Sequence, residues 1–204
     1  GLVEVDYLMG DRFVTPADDE QQHSELPWRL PDAYLCYQPP PIDLPVRPPP
    51  AATSGRVTLG SFNFLAKISD ATVVLWSEVL AAAPRSRLLL KSAALDDHRH
   101  REATFRRFER QGVDRDRLIL SGNVPGRAAH LAEYHEVDIA LDPFPYNGTT
   151  KTAEAMWMGV PVLTIRGDRF IARVGESLVT TVGHPEWVAS NRGEFVRMAS
   201  AFAA

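Results

Sequence analysis

Thr149-Thr-Lys-Thr152, with Glu154 two residues on, sets three hydroxyls, one ammonium and one carboxylate within about a turn and a half of a helical pattern. The pattern opens after the Asn147-Gly148 turn, where Asp142-Pro143 and Pro145 have already broken the preceding apolar strand. A helix N-terminus at a strand's carboxyl end offers free N–H groups and the positive end of the helix dipole. Hydroxyls and a lysine around it make a place for a diphosphate. Glu154, on the same side as Thr150 and Lys151, could accept both hydroxyls of a ribose. Threonine capping and a carboxylate complementing the dipole are the plainer readings of the same residues.

Two further loops carry candidate groups. Phe62-Asn-Phe-Leu-Ala-Lys-Ile68 holds neither G-x-G-x-x-G nor Walker A, which disfavours a typical dinucleotide or ATP site. It offers Lys67, a mobile point charge that could neutralise a leaving diphosphate; the plainer reading is a solvated lysine before a helix. Ser121-Gly-Asn-Val-Pro-Gly-Arg-Ala-Ala-His130 could press backbone against a flat base, with Arg127 and His130 one turn apart reaching a base or phosphate. A surface helix with one Arg and one His is equally ordinary. His98-x-His100 lacks a third ligand, so no metal site is expected, and Asp96-Asp97 reads as a helix cap. There is no G-x-S-x-G nucleophile elbow.

Positioning these groups falls to an alternation that starts at residue 56. Strands read at 56–61, 87–91, 117–120, 137–141 and 161–165. Helices read at 70–83 with Ser69 or Asp70 as cap, 97–111 stopped by Gly112, 127–136 and 150–158. Further helical signals fall at 171–180, 185–190 and from 194 onward. Short apolar strands alternating with helices predict an α/β fold, a doubly wound parallel sheet covered on both faces. Its ligand should sit outside the carboxyl ends of the strands, on loops 61–69, 92–96, 121–127, 142–150 and 166–170. Residues 1–50 carry turn signals and two proline clusters, Pro39–Pro41 and Pro48–Pro50, which predict a stiff extended connector. The aromatic run Tyr34–Tyr37 and the first residues read as strands.

Composition sets outer bounds. The 204 residues, 45% of them hydrophobic, can bury a normal core. A net charge of −4 argues against nonspecific nucleic-acid binding. No apolar run approaches the roughly 20 residues that span a bilayer, so no membrane partner is expected. A single cysteine, Cys36, excludes an internal disulfide and suits a reducing, cytoplasmic setting. The absent initiator methionine and a last helix that stops in mid-pattern lead to the expectation of a fragment of a longer polypeptide.

Taken together, Phe62-Asn-Phe-Leu-Ala-Lys-Ile68, Ser86-Arg-Leu-Leu-Leu-Lys91, Asp142-Pro-Phe-Pro-Tyr-Asn-Gly148 and Trp157-Met-Gly-Val-Pro161 resemble the C-terminal catalytic lobe of the O-linked N-acetylglucosamine transferase family, glycosyltransferase family 41. Arg173-Val-Gly-Glu-Ser177 and Gly183-His-Pro-Glu-Trp187 continue the resemblance. Asp6-Tyr-Leu8, Thr15-Pro16 and Leu35-Cys-Tyr-Gln-Pro-Pro40 resemble the end of that family's N-terminal lobe.

The resemblance implies a GT-B glycosyltransferase fold, with residues 1–50 as the end of the N-terminal lobe plus connector. Residues 51–204 would be a sugar-nucleotide-binding lobe truncated at its end. Lys67 would contact the donor diphosphate and help UDP depart. Phe64 would take a nucleotide-contact position. Arg127 and His130 would lie on the base- and phosphate-contacting helix, Thr149, Thr150 and Lys151 would line the diphosphate, and Glu154 would take the ribose position. Asn147-Gly-Thr-Thr-Lys-Thr-Ala-Glu154 departs from the usual bacterial Asn-Gly-Gly-Thr-Thr-Thr-Cys-Asp by a longer carboxylate and an inserted positive charge.

The implied activity is transfer of N-acetylglucosamine from UDP to protein Ser or Thr, inverting and metal-independent, with no cofactor beyond the donor substrate. A protein acceptor would be held by an N-terminal lobe and tetratricopeptide repeats outside this chain, leaving the piece alone inactive. Two alternatives stand beside it: another donor on the same fold, such as GDP-fucose or UDP-glucose, or an inert nucleotide-binding or interaction module.

Overall fold

The computed structural model describes residues 4–203. A six-stranded parallel sheet is built from β3 (Thr58–Ser61), β4 (Arg87–Lys91), β5 (Leu118–Ser121), β6 (Ile139–Leu141), β7 (Val162–Ile165) and β8 (Val188–Ala189). Its order is β5-β4-β3-β6-β7-β8. Chain direction across the sheet therefore reverses between β3 and β6, and a ligand crevice opens outside the carboxyl ends at such a switch point. β3 ends there at Ser61 and β6 at Leu141.

Period-two alternation sorts the strand side chains onto two faces. Leu59, Leu88, Leu90, Leu141 and Leu163 join one core, packed under α2 (Asp70–Ala82), α3 (His98–Glu109) and α7 (Arg192–Phe202) through Trp76, Phe108 and Phe195. Leu89, Ala140 and Val162 face the other core, under α4 (Arg127–Ala132), α5 (Thr150–Trp157) and α6 (Val174–Thr181), with Leu131, Ala155 and Val179. Each fully buried leucine contributes roughly 2 kcal/mol. Side-chain caps start three helices: Ser69 accepts from Thr72 N, Asp97 from Arg99 N, and Asn191 from Glu194 N.

The segment before residue 51 is more than a connector. β1 (Tyr7–Asp11) and β2 (Leu26–Leu30) form a separate two-stranded parallel sheet. Buried Asp11 accepts the N–H groups of Phe13, Val14 and Tyr34 and the Ser177 hydroxyl, tying this segment to α6. Residues 38–50 run without regular structure into α1 (Ala51–Ser54). Asp138, just before β6, accepts from Ala51 N and Thr58 N at 2.8 and 2.7 Å, which fixes the connector to the amino ends of the strands.

Two expectations are corrected. Tyr34–Tyr37 forms no strand: Tyr34 packs edge-on against Phe170 at 5.0 Å and joins the small core around Val14 and Leu178 instead of a ladder. Residues 185–190 are not a helix but a 3-10 turn over Pro185–Trp187 leading into β8, because Pro185 permits one tight turn and Val188 then pairs with Thr164. The expected strand at the first residues falls at Tyr7–Asp11; residues 1–3, like Ala204 at the other end, lie outside the described residues.

Candidate nucleotide-diphosphate site

The loop after β6 is anchored before it reaches α5. Buried Asp142 accepts Gly148 N at 2.6 Å and the Thr164 hydroxyl at 2.9 Å. Burial pushes its pKa up to about 7, against these hydrogen bonds and the nearby Lys67, which all favour the carboxylate. Asn147 lies buried, donating to Pro143 O and accepting from Gly175 N. The cis Phe144–Pro145 peptide is tied to α2 through Ser69 and Thr72, whose hydroxyls both donate to Phe144 O. A side chain at Gly148 would place its Cβ 2.5 Å from Thr152 Oγ1 and 3.0 Å from Asp142 Oδ1, so the turn closes only around glycine.

Lys67 reaches this loop from the other side of the switch point. Its ammonium donates to Asn147 O at 2.8 Å and lies 4.0 Å from the centre of the Tyr146 ring. Burial lowers its pKa, while Asp142 pulls the other way. Thr149 makes no side-chain cap; it is half-buried and Thr150 is exposed at the start of α5. The N–H groups of the first turn of α5 have no intrahelical acceptor. Lys67, the hydroxyls and the helix start thus share one rim of the crevice.

Arg127, His130, Lys151 and Glu154 form a second group. Glu154 is fully buried. Its Oε2 takes Lys151 Nζ at 2.8 Å and His130 Nε2 at 3.1 Å; Arg127 Nη2 stands 2.7 Å from Oε1 as an ion pair, off the line a hydrogen bond needs. Burial, the largest single influence, works to raise the Glu154 pKa, but the bonds from His130 and Lys151 outweigh it and hold the carboxyl below its usual range. Tyr134, stacked on Phe62 at 4.1 Å, donates to Lys151 O at 3.1 Å and fixes the start of α5.

Beside the second group a cavity of about 200 Å³ is lined by Phe64, Ser92, Asn123, His130 and Lys151, among others, and Lys67, Thr149 and Thr150 do not line it. Phe64 stands at its rim, 71% exposed. Lys91, also in the lining, was not singled out from sequence. It is buried and paired with Glu133 at 2.6 Å, and Glu133 also accepts from Ser121. A lysine ending the apolar run Leu88-Leu-Leu90 at a strand's carboxyl end was the available signal. A larger apolar cavity, about 530 Å³, lies beneath α5 and α6 between Leu35, Trp157, Val182 and Trp187, and none of the expected site residues line it. Among the described residues, no three His, Cys, Asp or Glu side chains converge to hold a metal ion, and no helix is long and apolar enough to cross a membrane.

Comparison with known proteins gives a consistent family. The model described as glycosyl transferase family 41 matches residues 51–204. The chain is similar to a Petunia hybrida protein named probable UDP-N-acetylglucosamine–peptide N-acetylglucosaminyltransferase SPINDLY. The two are 41% identical over 199 residues, which is 98% of this chain and 21% of that one. A Caenorhabditis elegans protein named UDP-N-acetylglucosamine–peptide N-acetylglucosaminyltransferase is 31% identical over 140 residues, 68% of this chain and 12% of its own. Among solved structures, a lysine-to-methionine mutant of the Thermobaculum terrenum O-GlcNAc transferase superposes with a TM-score of 0.91 at 35% identity, over 97% of this chain and 37% of that one. The chain spans about a fifth of the length of the curated plant relatives it matches.

Proposed function

The chain belongs to glycosyl transferase family 41 and has a GT-B glycosyltransferase fold, and from that premise we propose that its crevice binds the donor of a protein O-glycosyltransferase. The donor is UDP-N-acetylglucosamine and the acceptor a protein Ser or Thr. The observation that carries this reading is the convergence of Lys67 and the start of α5 on one rim of the β3/β6 switch point.

In the proposed reaction the bond between the sugar's anomeric carbon and the diphosphate oxygen breaks as the acceptor oxygen attacks the opposite face, inverting the centre. Negative charge grows on the departing UDP. Lys67, already partly desolvated, and the free N–H groups of α5 meet that charge in place, which is electrostatic stabilisation and asks for no metal. The acceptor proton goes to a base outside these residues. Arg127, His130 and Glu154 serve the nucleoside, with Phe64 at the rim of its cavity. Thr149 and Thr150 add hydroxyls beside the diphosphate. A reducing, cytoplasmic setting fits the single, exposed Cys36.

The test is an assay of the full polypeptide with UDP-N-acetylglucosamine and Ser/Thr peptides. Transfer with inversion, unaffected by chelator, is the expected result. Transfer only from GDP-fucose or UDP-glucose would assign another donor, and no transfer from any sugar nucleotide would reject the reading.

A further inference from the structure

Glu154 carries more positive charge than a buried carboxylate needs. Arg127 and Lys151 alone outnumber its single negative charge, and His130 adds a third contact. The three partners are not equivalent. Arg127 faces one oxygen, whereas Lys151 and His130 share the other. Removing Lys151 would therefore leave Glu154 with a cation on Oε1 and an imidazole on Oε2. The carboxylate would not be stranded, which is the costly outcome for a buried charge.

Lys151 is also the partner placed where a phosphate would arrive. It sits in the first turn of α5, beside the N–H groups that have no intrahelical acceptor, and its side chain is 29% exposed. Its ammonium lies 2.9 Å from His130 Nε2 and lines the 200 Å³ cavity together with Phe64 and Ser92. A lysine is a point charge on a flexible stem, so rotation about its own bonds is enough to redirect it.

We infer that Lys151 is a phosphate-operated clamp on Glu154. With no anion present, the ammonium is spent on the carboxylate and covers the group that would hold a ribose. A ligand's phosphates draw the ammonium off, uncover Glu154 and gain a charge-assisted contact in the same step. Nucleoside and phosphate recognition are thereby coupled through one side chain. The site favours nucleoside diphosphates over nucleosides by more than phosphate contacts alone would give. The inference rests on the proposed nucleotide site and specifies how that site selects its ligand.

Calorimetric titration of uridine, UMP, UDP and GDP into the full polypeptide and into Lys151→Thr tests the clamp, with Lys151→Gln as a second variant should the first fail to fold. The wild type should bind UDP far more tightly than uridine. In the variant the ratio of UDP to uridine affinity should shrink by about tenfold or more, the worth of one charge-assisted contact, while uridine affinity holds or rises because Glu154 is uncovered. An unchanged ratio, or equal losses for uridine and UDP, overturns the clamp and leaves the nucleotide site standing. Failure of the wild type to bind UDP or GDP at all removes the site and the clamp together.

Discussion

Lys67 and Asn147, eighty residues apart in sequence, meet at 2.8 Å where the Lys67 ammonium donates to the Asn147 carbonyl. That contact joins the loop after β3 to the loop after β6 across the switch point, and it sets a cation beside the start of α5. Lys67→Ala should lower kcat of the full polypeptide by about 10²–10³-fold, the effect of removing one preorganised donor. Lys67 is only half-buried and its partner is one carbonyl, so Tm should move by less than about 4 °C. Steady-state kinetics beside a thermal melt checks both; a large Tm loss with kcat intact would make Lys67 structural.

Asp142 should make stability pH-dependent. Its pKa rises from 3.8 to about 7 on folding, so between those values the folded chain holds a proton that the unfolded chain has lost. Stability from this group is complete below about pH 4 and falls as pH rises to about 7, by up to roughly 4 kcal/mol. Asp142→Asn removes the titration. The difference in urea-unfolding free energy between variant and wild type should move in the variant's favour from pH 4.5 to pH 7.5. A difference that stays constant across that range contradicts the assignment.

Gly148→Ala should cost about 1–3 kcal/mol, because the new methyl group meets Thr152 Oγ1 at 2.5 Å inside a closed turn. The strain falls on the loop that receives Lys67, so nucleotide affinity should drop along with stability. Chemical denaturation and a UDP titration on the same preparation measure the two effects. Full affinity with full stability would show that the turn relaxes without cost.

Glu133→Ala should destabilise the fold by about 3 kcal/mol, because it leaves the Lys91 ammonium, whose side chain is only 5% exposed, hydrogen-bonded to Gly122 O but without its counter-ion. Lys91→Met in the same background should recover much of the loss, since an apolar side chain of similar length needs no counter-ion. Urea unfolding of the two variants decides it, and a Glu133→Ala change within 0.5 kcal/mol of wild type, the scale of an ordinary surface substitution, would show that water reaches the lysine.

Much of the fold is legible in the chain because short apolar strands with period-two sorting leave few alternatives to a covered parallel sheet. The strand order is another matter. Nothing in the alternation says that β6 returns beside β3, which depends on how crossovers pack. Tyr34–Tyr37 misleads because aromatic residues suit strands and small satellite cores equally, and the core around Val14 exists only once the first fifty residues have folded back. β8 is two residues long, too short for any pattern to register.

Site residues were legible by type and by loop, and less so by partner. Lys67 and the threonines stand on the loops where strand ends put them. The i,i+3 spacing of Lys151 and Glu154 puts them on one side of α5 and within reach of each other, as their 2.8 Å ion pair bears out. That Arg127 and His130 arrive from α4 to meet Glu154 is a long-range contact with no local signal. Asp142 reads from sequence as a strand breaker; its burial under Gly148, and the titration that follows, exist only in three dimensions.

The central claim is that this crevice holds a nucleoside diphosphate through Lys67. The most direct measurement is calorimetric titration of UDP and GDP into the full polypeptide and into Lys67→Ala. Saturable binding of one nucleotide by the wild type, weakened about tenfold or more in a variant that remains folded, is the predicted result. Absence of binding for both nucleotides up to about 1 mM, or equal affinity in wild type and variant, would contradict it.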